Sequence, residues 1–459
     1  MKSKLISCVL LILLLIGCAD NDAPTVKKRD DFKETSKQTE KRLNWIGHWL
    51  LEYGRETLVQ EVAQDFELMN PDIDINLKYP QHIMGLRGKQ EMAKYIVKMI
   101  ETGDIKWDVV WLDDRIYQYV AEELRDPHWG QKHLVNFEEV DGFKQTQKSF
   151  IIDNPIYREQ TGGIIIGPYI EGFYFLMYYN KDVAENMDIE VKHADMTYDD
   201  LLSYLKAVDQ YNKKHDTNIR ALYECNDFLS SETLFQSLFK SELGNFDMAK
   251  EGVGSNKKNA ALLKTFQAFE EMGRYIPLLD SHTSSPWFQT RHYPLEGKCL
   301  FDVRGAWMYS HWMGIDKEKT AKMVPVELPV FQKVDYYLGS FIQAWAVMKD
   351  GANKEEAIKL LMFWSRPQVA EKWVRYAKAP TGLVGNISSS DIGDDPFDQF
   401  ITRITDKYGS NVHYSANAGY ILGKKNRLLQ QNINEKLLQL LDKNITAQQA
   451  YDEIMKEVK

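Results

Sequence analysis

Cysteine is nearly absent. The 459 residues hold four, too few for a disulfide scaffold. Cys8 and Cys18 lie near the N-terminus, which leaves Cys225 and Cys299 for the body. Those two allow one intramolecular pairing, and buried free thiols are the alternative. Long apolar runs are missing too. The stretch Leu5–Ile16 is shorter than the about 20 residues that a membrane-spanning helix takes. No dense Lys/Arg block forms a nucleic-acid stripe, and the formal net charge is -9, so DNA and RNA are not expected partners. Gly-x-Ser-x-Gly, His-Glu-x-x-His and Cys-x-x-Cys do not occur, which removes the common nucleophile and metal signatures. The glycines of Gly85-Leu86-Arg87-Gly88-Lys89-Gln90 have the wrong spacing for a phosphate loop. His128 and His133 are five apart, but Pro127 and Gly130 argue against a shared helix face. No catalytic residue, metal or cofactor is therefore expected.

What is present is an average soluble composition. Hydrophobic residues make up 44% and charged residues 27%, which excludes a disordered chain, a collagen and a multi-span membrane protein. At about 100–200 residues per domain, the length fits two to four domains or lobes. Eleven Trp and 24 Tyr suit a large core or a site that stacks flat apolar faces. The start, Met1-Lys2-Ser3-Lys4 and then Leu5–Ile16, reads as a secretory signal. It ends Leu15-Ile16-Gly17-Cys18, which resembles the bacterial lipobox and implies lipidation at Cys18. Residues 1–17 are then the signal peptide and 18–42 a polar, lipid-anchored tether.

The body alternates strands and helices. Leu43–His48 reads as a first strand, and Arg55–Met69 as a helix with Leu58, Val62, Phe66 and Met69 on one stripe. Ile73, Ile75 and Leu77 alternate with polar residues, as in a strand. A helix over Lys89–Glu101 and a buried strand over Trp107–Leu112 follow. This order predicts parallel strands covered by helices. Further strands are expected at Ile164–Ile166, Phe173–Tyr179, Leu300–Val303 and Ala344–Met348. Thr197-Tyr198-Asp199-Asp200 reads as a capping box for a helix running to Lys214. Helices are expected at Glu355–Trp364, Gln430–Leu441 and Ala447–Val458, with Trp312, Trp364 and Trp373 in the core.

Four landmarks in order carry a family resemblance. They are Trp45 and Trp49 followed by Phe66 to Pro71; Asp108 to Arg115; Gly167-Pro168-Tyr169 followed by Tyr179-Asn180-Lys181-Asp182; and Gly297-Lys298 followed by Gly305-Ala306-Trp307. From about Leu43 onward the chain resembles the extracellular solute-binding proteins of ABC importers, the group that includes maltose-binding protein. It departs at Gly339-Ser340-Phe341, where the family often has Gly-Gly-Trp, and Glu171 sits about two residues from the family's position. The resemblance implies an α/β fold of two hinge-linked lobes with a ligand cleft between them. Lobe one would be 43–170 with part of 329–385, and lobe two 171–328 with part of 386–459.

In such sheets ligands sit beyond the carboxyl ends of strands. That rule places Trp49, Glu52, Trp111, Asp113, Asp114 and Arg115 at the cleft, joined by Glu171, Trp307 and Phe341 from the motif positions. Trp111, Trp307 and Phe341 would stack on sugar faces, and Asp113, Asp114, Arg115 and Glu171 would bond hydroxyls. The expected protein is an anchored, monomeric receptor that passes a mono- or oligosaccharide to a membrane permease. A polyamine or peptide receptor, a lipid-anchored glycoside hydrolase and a surface interaction protein are the alternatives.

Overall fold

Strand β1, Lys41–Ile46, opens the body two residues earlier than the sequence indicates. The computed structural model describes residues 41–458 apart from 53, 84, 87, 225–232, 246–253, 276–291, 386–394, 409–410, 415–421 and 423–426. The signal, most of the tether, Cys18 and Cys225 lie outside the described residues. Cys299 is buried and pairs with no other cysteine among the described residues.

Helix α1, Arg55–Met69, buries the stripe Leu58, Val62 and Phe66. The stripe ends one turn early, because Met69 is 59% exposed. Strand β2, Ile73–Lys78, pairs parallel with β1 along its whole length. Helix α2, Lys89–Thr102, leads to β3, Val109–Trp111. Strand β9, Trp345–Val347, returns antiparallel to β3, so the first sheet runs β2-β1-β3-β9. Helix α3, Asp114–Leu124, starts directly after β3.

The second sheet is built around β4, Glu171–Asn180. Its first residues pair with β8, Tyr337–Ile342, and its later ones with β6, Cys299–Gly305, and β7, Met323–Val326. Strand β5, Arg220–Glu224, adds parallel to β6, and β10, Val412–Tyr414, adds parallel to β8. The capping box is present: Thr197 and Asp200 bond each other's backbone N–H at the start of helix Tyr198–His215.

Two cores follow from the two sheets. One gathers Trp45, Trp345, Trp364 and Trp373, all fully buried. The other gathers Phe235, Phe266, Phe301 and Leu437. Phe173 and Trp307 pack against both.

Ile164–Ile166 is buried but is not a strand. Gly162 and Gly163 precede it at φ +67° and +90°, and a Cβ on the following Gly167 would sit 2.2 Å from the Trp345 carbonyl oxygen. The backbone there is fixed by close contact. The Asn136 side chain and the Phe137 N–H bond the two polar groups of Ile165. His128 sits at the N-terminal flank of a five-residue helix, Trp129–His133, without a side-chain cap bond, and that helix includes Gly130. Among the described residues no group of three or more His, Cys, Asp or Glu is arranged to hold a metal ion. No helix among them is long and apolar enough to cross a membrane.

Candidate functional site

The loop after β1 has an unusual backbone. Trp49 and Leu51 take φ +68° and +63°, a region that bulky side chains seldom adopt. Such strain persists only where the surroundings impose it. Gly54, at φ +76°, closes the loop where a Cβ would meet the Tyr376 carbonyl oxygen at 2.1 Å. The result buries the Trp49 ring and leaves Leu51 83% exposed.

Trp49 lies in a ring cluster. Its centroid is 5.1 Å from Trp345, 4.9 Å from Trp373 and 4.9 Å from His48. The His48 ring stacks on Trp111 at 4.5 Å with 16° between planes. So His48, which the sequence did not single out, joins the two tryptophans that it did. Burial pushes the His48 imidazole down to about 3, the Asp113 carboxylate opposes this, and Lys89 and Arg55 add to it. The ring is neutral at pH 7.

Arg55 is the second residue that the sequence did not single out. Its side chain is 2% exposed, and Nη1 donates to Glu52 at 3.1 Å and to Glu171 at 2.8 Å. The guanidinium carbon lies 5.9 Å from the Trp49 ring and 5.2 Å from the Trp373 ring. Arg55 thereby gathers Trp49 and Glu52 from the loop after β1 and Glu171 from β4.

Asp113 caps α3, accepting from the Ile116 N–H at 2.8 Å, and its other oxygen meets Lys89 Nζ at 2.6 Å. Burial raises this carboxyl, but Lys89 and the Ile116 N–H outweigh it and hold it below the usual carboxylate range. Asp114 accepts from the Arg115 N–H at 2.9 Å in the first turn of α3.

Trp307 and Phe341 belong to another set, built on β4. Phe341 is paired with Gly172, whose missing side chain leaves room for the ring at 2.7 Å from an ideal Cβ, and it packs on Phe150. Trp307 covers Gly305 and meets Phe173 edge-on at 5.1 Å. Three successive residues of β4 join the Arg55 cluster to Phe341 and Trp307, and leave Asp113, Asp114 and Arg115 apart. Glu171 holds Arg55, Gly172 receives Phe341, and Phe173 meets Trp307.

Buried donors lacking a hydrogen-bond partner are common here. Among the described residues they include Trp49 Nε1, Trp111 Nε1, Trp345 Nε1, Gln343 Nε2, and Nε and Nη2 of Arg55. Buried polar groups are normally paired with protein, water or ligand. A separate cavity, lined by Asp195, Glu327, Tyr337 and Tyr408, includes none of these residues.

The wider comparisons agree with this architecture. The chain superposes on maltose-bound MalE3 of T. maritima with a TM-score of 0.61 and 14% identity, covering 91% of this chain and 99% of that one. The GacH receptor of Streptomyces glaucescens, solved unliganded and with acarbose, gives 0.64 and 14%, covering 91% and 97%. Lmo0181 of Listeria monocytogenes, solved in complex with cycloalternan, gives 0.60 and 15%, covering 91% and 98%. No curated protein sequence matches. The family model for bacterial extracellular solute-binding proteins matches residues 61–395, and the chain belongs to that family.

Proposed function

We propose that the protein captures a mono- or oligosaccharide between its two lobes and delivers it to an ABC permease. The observation that carries the reading is the site around Arg55. Indole rings, two carboxylates and buried unpaired donors lie together there. A sugar has flat C–H faces for the rings and a rim of hydroxyls for the polar groups. The ligands named for the solved relatives, maltose, acarbose and cycloalternan, are of the same chemistry.

In this reading Trp49, Trp111, Trp307 and Phe341 supply ring faces, and Glu52, Asp113, Asp114, Arg115 and Glu171 supply the polar rim. Residues 43–170 and 171–328 form the main parts of the two lobes, completed by parts of 329–385 and 386–459. The first 17 residues are removed, Cys18 carries the lipid, and the tether up to residue 42 holds a monomeric body at the membrane. The protein holds its solute without turnover.

A thermal-shift screen of the protein against sugars, polyamines and peptides tests this. Ligand at about 100 times its dissociation constant adds about 2.7 kcal/mol to the folded state. A shift with a sugar that is recovered intact after long incubation is expected. A shift only with a polyamine or peptide replaces the ligand class, and cleavage of the sugar replaces binding with hydrolysis. Cys18→Ser should release the protein from membranes under carbonate wash, and retention would overturn the lipid anchor.

A further inference from the structure

Arg55 has more hydrogen-bonding capacity than the protein uses. A guanidinium carries five N–H donors in one plane. Nη1 serves both Glu52 and Glu171. Nε and Nη2 are buried and have no partner among the described residues. The nearby Trp49 and Trp373 rings offer π-faces, not acceptor oxygens. A buried donor left unmade costs about 1–3 kcal/mol, more for a charged group.

The unpaired Nε–Nη2 edge carries two parallel N–H bonds. It fits two adjacent oxygens, either a carboxylate or a pair of neighbouring hydroxyls. Charge decides between them. Two carboxylates already share this one cation, and the neighbouring Lys89 is taken by Asp113 at 2.6 Å. A ligand carboxylate would be a third negative group around Arg55. A hydroxyl pair brings no such repulsion, and its own protons can be donated to Glu52 or Glu171.

We propose that Arg55 is a specificity-determining residue of the cleft. Its unpaired edge takes a vicinal hydroxyl pair of a neutral sugar, and Glu52 and Glu171 turn away uronates. The assignment rests on the sugar reading above.

Isothermal titration calorimetry of the full chain tests it, with maltotriose, xylotriose and raffinose as neutral probes and trigalacturonate as the acidic one. At least one neutral probe should bind and trigalacturonate should not. Arg55→Lys keeps the charge and loses the planar edge, and should weaken the neutral ligand about tenfold or more. Affinity for that ligand should stay within about twofold between about 0.02 and 0.5 M NaCl, since no ligand charge is screened. Undiminished neutral binding by Arg55→Lys, or an affinity that falls steeply with salt, overturns the assignment. Binding of trigalacturonate alone also overturns it while leaving the sugar reading standing. Binding of none of the four counts against the sugar reading and removes this assignment with it. Should Arg55→Lys not fold, the neutral-against-acidic comparison and the salt series on the unaltered protein still decide.

Discussion

Two buried arginines, Arg55 at the start of α1 and Arg304 in β6, meet their carboxylates in different ways. Arg304 donates from Nε to Asp302 at 2.9 Å, two residues away on the same strand, and lies 4.6 Å from the Tyr223 ring. Arg55 takes its carboxylates from the loop after β1 and from the first residue of β4. The Arg304 pair is internal to β6 and keeps its geometry wherever the strand goes. The Arg55 cluster depends on how β4 meets α1. Burial also acts differently. It pushes the Asp302 carboxyl up to about 6, with Arg304 only partly offsetting it. The second-sheet pair can thus shed its negative charge by binding a proton.

Removing each arginine sharpens that contrast and should give the largest effects. Arg55→Met leaves Glu171 buried without its cation, and loss of one partner of a buried pair costs about 3–5 kcal/mol. Urea unfolding at pH 7.5 should show this loss. Arg304→Met should cost less, because Asp302 can be neutralised, and its deficit should shrink at pH 5. Equal losses with no pH dependence for Arg304→Met would break the comparison.

The tryptophans of the two sets form the next pair. Trp111 is 7% exposed and stacked on His48, whereas Trp307 is only half-buried at the junction of the cores. Trp111→Ala should lower stability by about 3 kcal/mol or more, and Trp307→Ala by roughly half that. Each should also weaken sugar binding by about tenfold, or ~1.4 kcal/mol. Gly305→Ala places a Cβ 1.7 Å from the Trp307 ring, so it should displace that ring and reproduce the binding loss of Trp307→Ala. Wild-type affinity in Gly305→Ala, measured by calorimetry, would remove Trp307 from the site.

Much of the first sheet was readable because its elements are local. The α1 stripe, the alternation of Ile73, Ile75 and Leu77, and the run Trp107–Leu112 each announce one element, and short connections impose their order. Arg55 escaped, although a signal was present. It lies three residues before Leu58 on the same stripe, so the helical period carries a charge onto the buried face. A charge there requires partners, and Glu171 is 116 residues away. His48 escaped because nothing local distinguishes a stacked imidazole from a solvated one. Ile164–Ile166 misled for the opposite reason. Three β-branched residues look like a strand, but the flanking glycines hold them in an irregular path against Trp345. Distant partners and close backbone approaches leave no periodic trace.

Acid should act on the two regions with opposite signs. The folded site keeps His48 neutral down to about pH 3, while the unfolded chain protonates it near 6.5. Below pH 6.5 the unfolded state binds the extra proton, so acidification to pH 5 should lower stability by about 2 kcal/mol through His48. Asp302 works the other way. Its folded carboxyl titrates at about 6, against 3.8 as the reference, so the folded state binds the proton first. Acidification from pH 6 to 5 should raise stability by about 1 kcal/mol through Asp302. Urea unfolding at pH 7.5, 6.5 and 5 separates the two. His48→Gln should remove the acid loss and expose the Asp302 gain, and Asp302→Asn should deepen the loss that remains. Profiles unchanged by both substitutions would mean that neither buried group sets the acid response, and the contrast between the two regions would then rest on their arginines alone.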